Sequence, residues 1–201
     1  MKTLRLPFFL ALICLIISCS KSDQQNPDDN NFATVYGGKP YKGSVVGVRS
    51  AGGTETHRWE GEGRIVFIEP KADSISMVML ADFGSVGEIN LKLRGAYRGT
   101  GFFAENENIK LQIKDAKIAG NVTNAAQRML FDGSLTPERS DLVLTVEFVQ
   151  GQEGFPPGSK LAMTFDTSRK VDDGDNDGGC EMRLVPIWSP SGVTMGMVPD
   201  C

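Results

Sequence analysis

The chain has 201 residues, with 21 basic and 25 acidic side chains and a formal net charge of −4 at pH 7. Charges of both signs are spread along the chain, which excludes the clustered Lys and Arg that binding to nucleic acid requires. The same balance argues against electrostatic attachment to an anionic membrane surface. A chain of this length can form one domain with a sizeable buried core.

The first residues have the layout of a secretory signal. Lys2 and Arg5 precede an apolar run over 8–17, and the small residue Ser18 then stands before Cys19. A bilayer-spanning helix needs about 20 apolar residues, and this run has about half that number. We therefore predict a cleaved signal peptide over 1–18 and not a transmembrane anchor.

The end of this segment, Ile16-Ile17-Ser18-Cys19, resembles the lipobox of bacterial lipoproteins. The resemblance implies cleavage before Cys19 and a diacylglycerol on its thiol; the alternative is an ordinary secretory signal in which the cysteine is incidental. A lipidated Cys19 would hold the protein on the outer membrane of a bacterial cell envelope. It could face either the periplasm or the cell surface.

Residues 20–31 contain no apolar side chain except that of Pro27. Such a segment cannot bury enough apolar surface to offset the entropy lost on ordering. We predict a lipidated cysteine and polar tether over 19–35, followed by one folded domain over 36–201.

Apolar and polar residues alternate with a period of two through most of this domain, most regularly over 87–94 and 108–114. This alternation is typical of strands with one face on a core and the other in water. Glycines, prolines and acidic residues separate the runs. The pattern predicts strands near 41–50, 56–69, 74–82, 87–97, 100–105, 107–119, 128–135, 141–150, 159–166, 181–188 and 193–198.

Three details refine this prediction. The alternation slips by one position near Asp115, which predicts a β-bulge within 107–119. Residues 121–127 are the best helix candidate, at most a turn or two. The runs 74–82 and 141–150 are apolar on both faces, which predicts strands that are central or that line a cavity.

About ten short antiparallel strands form either a barrel or a sandwich. The succession of residues 41–48 (YKGSVVGV), 64–68 (RIVFI) and 75–83 (ISMVMLADF) resembles the calycin-like, or lipocalin-like, β-barrel lipoproteins of Bacteroidetes. The resemblance spans about residues 36–170. It implies an all-β antiparallel barrel of about 8–10 strands, with a β-sandwich as the alternative. The family has no established catalytic residues, so none are carried over.

Two cysteines, Cys180 and Cys201, remain outside the signal and the lipobox. Export would place them in an oxidising compartment, where paired cysteines persist as disulfides. We predict a disulfide between them that closes the C-terminal segment; a free thiol is the alternative.

An acidic segment has the spacing of a calcium loop. Asp173, Asp175 and Asp177 alternate and a glycine follows, as in the first half of an EF-hand loop. Glu181 stands at position 9, where a ligand can act through water, but Leu184 occupies position 12 in place of the bidentate glutamate. Calcium is thus the one candidate cofactor, with a solvated acidic turn as the alternative.

Three side chains are candidates for contact with a ligand. Trp59 is a large aromatic residue near a predicted strand end, where a barrel would open. Met77 and Met79 alternate along one face of a predicted strand, and thioethers adapt to varied apolar partners. The alternative for all three is ordinary core packing.

No catalytic or nucleotide-binding motif is present: there is no nucleophile elbow, zinc-protease motif, phosphate loop or dinucleotide fingerprint. This favours binding over catalysis, although the paired carboxylates of a glycosidase have no sequence motif. The first hypothesis is a binding module for a small apolar molecule or a host or dietary ligand. The alternative is a structural or interaction protein of the envelope, an accessory subunit or inhibitor, with a filled barrel.

Overall fold

The computed structural model describes residues 30–152 and 154–169 in full, and the backbone of 181–189 and 192–200. These residues form an all-β fold around a closed antiparallel barrel of ten strands. The predicted barrel is confirmed, at the upper end of the expected strand number, and the sandwich alternative is wrong.

A short helix, α1 (Phe32–Tyr36), precedes the strands. The barrel strands are β1 (Tyr41–Ala51), β2 (Thr54–Lys71), β3 (Ser74–Asp82), β4 (Glu88–Arg98), β5 (Gly101–Glu105), β6 (Ile109–Lys114), β7 (Lys117–Thr123), β8 (Gln127–Leu135), β9 (Arg139–Phe148) and β10 (Lys160–Ser168). A 3₁₀ turn, Gly84–Val86, joins β3 to β4, and a hairpin of β11 (Glu181–Ser189) and β12 (Gly192–Asp200) follows.

The barrel is a meander in which every strand pairs with its neighbours in sequence, and β1 pairs with β10 to close the ring. One junction is short, because β4 pairs with β5 only over Ala96–Arg98. The lower-numbered half of β4 carries instead a single parallel bridge, from Leu91 to Trp188 of β11. The wall of the barrel is therefore weakest between β4 and β5.

Burial follows the predicted alternation. In β6 the side chains of Ile109, Leu111 and Ile113 are buried and those between them are exposed. The run 74–82 is buried on both faces, as its composition predicts, and Val78 on its outer face packs with Val66 and Ile68 of β2. The core lies inside the barrel because each strand turns its apolar face inward.

One end of the barrel is closed by α1, and we call it the plugged end. The ring of Phe32 is fully buried and lies 4.9 Å, edge to face, from the ring of Phe67 and 5.7 Å from that of Phe102. The amide of Phe32 donates a hydrogen bond to the carbonyl of Gly99 (2.7 Å). Phe32 thus packs into the core of the barrel, although it lies within the segment 19–35 that the sequence predicts to be a tether.

Arg169 fastens the helix to the barrel. Its guanidinium donates to the carbonyl oxygens of Val35 (2.9 Å) and Tyr36 and lies 4.3 Å from the centre of the Tyr41 ring. Burial raises the pKa of the Tyr41 phenol and lowers that of Arg169. The charge is held at this depth because carbonyl oxygens and an aromatic face replace water around it.

Two local predictions are wrong. The segment 107–119 is not one bulged strand but the hairpin of β6 and β7, whose two turn residues, Asp115 and Ala116, have φ of +51° and +62°. Both values are positive, as in a type I′ turn, the tightest connection between antiparallel strands. The helix predicted over 121–127 is the end of β7, a turn and the start of β8.

We predict that Phe32→Ala lowers the free energy of unfolding by about 3–5 kcal/mol, because it removes a fully buried ring and leaves a cavity. The measurement is urea unfolding followed by circular dichroism. Thr34→Ala is the matched control on the exposed side of the same helix, with a change within about 0.5 kcal/mol. Equal effects of the two substitutions would show that α1 does not hold the barrel closed.

We also predict that Ala116→Gly raises the free energy of unfolding by about 0.5–1 kcal/mol. Alanine pays a steric penalty at positive φ that glycine avoids. Ala125, in the turn before β8, does not have a positive φ, so Ala125→Gly should lower stability by a similar amount. Thermal unfolding of both variants gives the two signs, and the same sign for both would contradict the type I′ assignment.

Candidate functional site

A cavity of about 220 Å³ lies inside the barrel, toward the end opposite α1. We call it the barrel cavity. Four consecutive residues of β4 form one wall, and β8, β9, β10 and the loop between β9 and β10 form the others. Its lining consists of Glu88, Ile89, Asn90, Leu91, Gln127, Met129, Leu144, Val146, Phe148, Gln152, Phe155, Leu161 and Met163.

The cavity occupies only part of the interior. Toward the plugged end the barrel is packed solid by large side chains that are at most 2% exposed, among them Ile65, Phe67, Leu93, Phe102 and Phe165. Aromatic rings fill the space at this level, and the ring of Phe102 lies against Gly95, where even a Cβ atom would not fit. A ligand can therefore enter only the half of the barrel remote from α1.

The β9–β10 loop covers the cavity. The Phe155 ring stacks on that of Phe148, with 4.2 Å between centroids and 22° between planes. The Gln127 side-chain amide donates a hydrogen bond to Gln152 (3.1 Å). The half-buried state of Phe155, unlike the full burial of the core, shows that solvent reaches this cover.

Arg49 holds the loop in place from β1. Its guanidinium carbon lies 5.7 Å from the centre of the Phe155 ring, and Nη1 donates a hydrogen bond to the carbonyl of Gly154. Nε donates to the hydroxyl of Thr56 (3.0 Å), which fixes the side chain to β2. One arginine thus links the barrel wall to the cover of the cavity.

Asn90 is the least satisfied polar residue of the cavity lining. It is completely buried, and neither its amide nitrogen nor its carbonyl oxygen has a hydrogen-bond partner in the described part of the chain. Its neighbours Ile89 and Leu91 face the barrel interior, so the alternation of β4 turns the Asn90 side chain to the outer face, opposite Leu80 of β3, although the residue borders the cavity. An unpaired buried amide is costly, by about 1–3 kcal/mol.

The sequence-predicted ligand residues lie near this cavity but do not line it. Met77 and Met79 face inward from β3 and are 1% and 2% exposed in the packed core. Trp59 is half-buried at the same end of the barrel as the cavity and stacks on His57, with 5.6 Å between centroids. Their contact with a ligand stays a prediction, and the methionines that do line the cavity are Met129 and Met163.

The alternation of residues predicts which side chains face inward, but it does not predict at which level the interior is empty. Met129, Leu144 and Met163 belong to strands that the sequence predicts, yet nothing in their pattern separates them from core residues. These residues line the cavity only because the side chains across the barrel leave a gap there, and such a gap is a property of the tertiary structure.

The remaining predicted site residues lie outside the described residues. These are the lipidation site Cys19, the calcium ligands Asp173, Asp175 and Asp177, and the cysteines 180 and 201; of Glu181 only the backbone is described. Within the described residues, no three His, Cys, Asp or Glu side chains are grouped to hold a metal ion. No helix among them is long and apolar enough to cross a membrane.

No protein-family model and no curated protein matches the chain. The function is therefore inferred from the barrel and its cavity.

We predict that Arg49→Ala loosens the cover. The amide of Phe155, which donates to the carbonyl of Gln152 (2.8 Å), should then exchange with solvent deuterium about 5- to 10-fold faster, as loss of about 1 kcal/mol of local stability requires. Arg58→Ala, on an exposed residue of β2, is the control and should leave this rate unchanged. Unchanged exchange in Arg49→Ala would mean that the stacked Phe148 and Phe155 rings alone hold the loop.

Proposed function

We propose that this protein is a lipid-anchored binding module of a bacterial cell envelope, and that it holds one small apolar molecule inside its barrel. The observation that carries the proposal is the barrel cavity, about 220 Å³ in volume and lined mainly by apolar side chains. Binding cavities are typically concave, mainly apolar and equipped with a few polar groups. The ten-stranded meander is consistent with the calycin-like lipoproteins that the sequence resembles.

The volume limits the ligand to a small one. A cavity of about 150 Å³ lined by apolar side chains holds benzene, so 220 Å³ corresponds to about nine non-hydrogen atoms. Burying that many carbons at about 0.8 kcal/mol each contributes at most about 7 kcal/mol. The dissociation constant is thus about 10 micromolar at its tightest.

The lipid anchor and the cavity would lie at opposite ends of the domain. The chain enters the fold through α1, whose first residue is held by Gly99 at the plugged end. A tether running from Cys19 would therefore approach the plugged end, and the covered end of the barrel would turn away from the bilayer. This orientation leaves the cavity accessible to a ligand arriving from the aqueous side.

The C-terminal hairpin supports the proposed disulfide. Strands β11 and β12 pair so that Glu181 faces Asp200, and the two cysteines are the next residue beyond each of these positions. Cys180 and Cys201 are thus sequence neighbours of two residues that face each other across the hairpin, which favours a disulfide between them. A disulfide there would fit an exported protein.

The binding proposal is tested with propylbenzene, an uncharged hydrocarbon of the expected size, in titration calorimetry with the purified protein. We expect a dissociation constant of about 10 micromolar or weaker, up to the millimolar range. Val146→Phe, which adds a ring to the cavity lining, should weaken binding at least about 10-fold, since overpacking excludes the ligand. Val143→Phe is the matched control, because Val143 lies on the same strand but is exposed on the outer face.

Circular dichroism of each variant establishes that it is folded. If Val146→Phe does not fold, Ile89→Phe replaces it, because Ile89 is a half-buried residue of the wall formed by β4. No binding by the unaltered protein would favour the alternative, a structural or interaction protein of the envelope. Equal weakening by Val146→Phe and Val143→Phe would place the hydrocarbon somewhere other than the cavity.

A further inference from the structure

We infer that Phe83 sets the upper limit on the size of the ligand that the barrel cavity accepts. The inference rests on the proposed binding function and adds the residue that determines its specificity. Phe83 follows β3 directly, is 9% exposed and belongs to the core. Its ring closes one side of the cavity, and a ligand of more than about nine non-hydrogen atoms would collide with it.

The first observation is that one side of the cavity has no lining residue of its own. Among the described residues, the lining comes from β4, β8, β9, β10 and the β9–β10 loop, and none comes from β1, β2 or β3. These three strands lie between β10 and β4 in the sheet, so they form one continuous part of the wall. A side chain therefore occupies the interior between these strands and the cavity.

The second observation is that the Phe83 ring lies on this side. A Cβ atom built on Gly47 of β1 would lie 2.9 Å from Cζ of Phe83, and one built on Gly61 of β2 would lie 3.0 Å from its Cδ1. Gly47 is buried and lies two residues from Val45, a core residue, so it shares the inward face of β1. The ring therefore extends across the inner faces of β2 and β1, in space that two glycines leave free.

The third observation is that the ring reaches the cavity. Gly47 faces Met163 of β10, and such cross-strand partners turn to the same face of the sheet, about 5 Å apart. Because Met163 lines the cavity, the ring that lies against Gly47 is the next group around the wall. Trp59, the partner of Gly47 on β2, packs against this ring, with 6.4 Å between centroids. Trp59 thus supports Phe83 beside the cavity.

Removing the ring would enlarge the cavity. The glycines beneath it carry no side chain that could fill the space, so Phe83→Ala would add the room of one phenyl ring, about six carbon atoms. The enlarged cavity would then hold about 15 non-hydrogen atoms in place of about nine.

The experiment compares propylbenzene with 1,3-diphenylpropane, which is the same molecule with a second phenyl ring. Equilibrium dialysis with excess purified protein and a trace of hydrocarbon gives each dissociation constant. We expect the unaltered protein to bind 1,3-diphenylpropane at least about 10-fold more weakly than propylbenzene, since overpacking excludes it. Phe83→Ala should bind 1,3-diphenylpropane at least about 10-fold more tightly than the unaltered protein does, because the second ring fills the new space.

Phe103→Ala is the matched control. Phe103 is a half-buried residue of β5 that lies between the inward-facing Phe102 and Ala104, so its ring is on the outer face. Its removal should leave both dissociation constants unchanged. Circular dichroism establishes that each variant is folded, and Phe83→Leu, with a smaller effect in the same direction, replaces Phe83→Ala if that variant does not fold. An equal response of the Phe83 and Phe103 variants would overturn the inference.

Gly47→Ala tests the same contact from β1. Its new methyl group would lie 2.9 Å from the Phe83 ring, so the ring must shift toward the open space of the cavity. Propylbenzene should then bind at least about 5-fold more weakly. In the Phe83→Ala background the methyl group meets no ring, and Gly47→Ala should change binding by less than about 2-fold. Equal weakening in both backgrounds would contradict the role of Phe83.

The outcomes separate the two proposals. If propylbenzene does not bind to the unaltered protein, the proposed function fails, and this inference fails with it. If propylbenzene binds but Phe83→Ala keeps the ligand preference of the unaltered protein, only the assignment of the size limit to Phe83 fails.

Discussion

The pairing of β1 with β10, continuous from Lys42–Ser168 to Ser50–Lys160, is the interaction on which the rest of the structure depends. A meander of strands leaves two free edges unless its first and last strands meet, and free edges carry unpaired amides and carbonyls. Closure satisfies these groups and encloses the inward-facing side chains on every side. Without it there would be no interior in which either a packed core or a cavity could form.

The two ends of the barrel are closed in different ways. At the plugged end, the buried ring of Phe32 and the guanidinium of Arg169 fill what would otherwise be a second opening. At the other end, the cover consists of a loop that rests on one stacked pair, Phe148 with Phe155, and on Arg49. Loops held by few contacts open at lower free energy than the core. A ligand would therefore enter past the β9–β10 loop, because many contacts close the plugged end and few contacts hold this loop.

The short junction between β4 and β5 determines which residues of β4 border the cavity. Because β4 pairs with β5 only near Ala96–Arg98, four consecutive residues at the other end of β4 border the cavity. A fully paired barrel wall would present only alternate, inward-facing residues to the interior. The interrupted pairing thus leaves this stretch of β4 open to the cavity.

The sequence by itself determined the strands and their inward faces, because a period of two is a local property of a chain whose one side is buried. It also determined the all-β class and the position of most turns. It did not reveal α1, since five residues carry no measurable period, or the turn at Asp115 and Ala116, which imitates the phase slip of a bulge. Only the tertiary structure decided that β1 meets β10, that Met77 and Met79 are packed while Met129 and Met163 line a space, and that Asn90 is buried with no partner among the described residues. Each of these depends on side chains that lie far apart in sequence and meet only when the barrel closes.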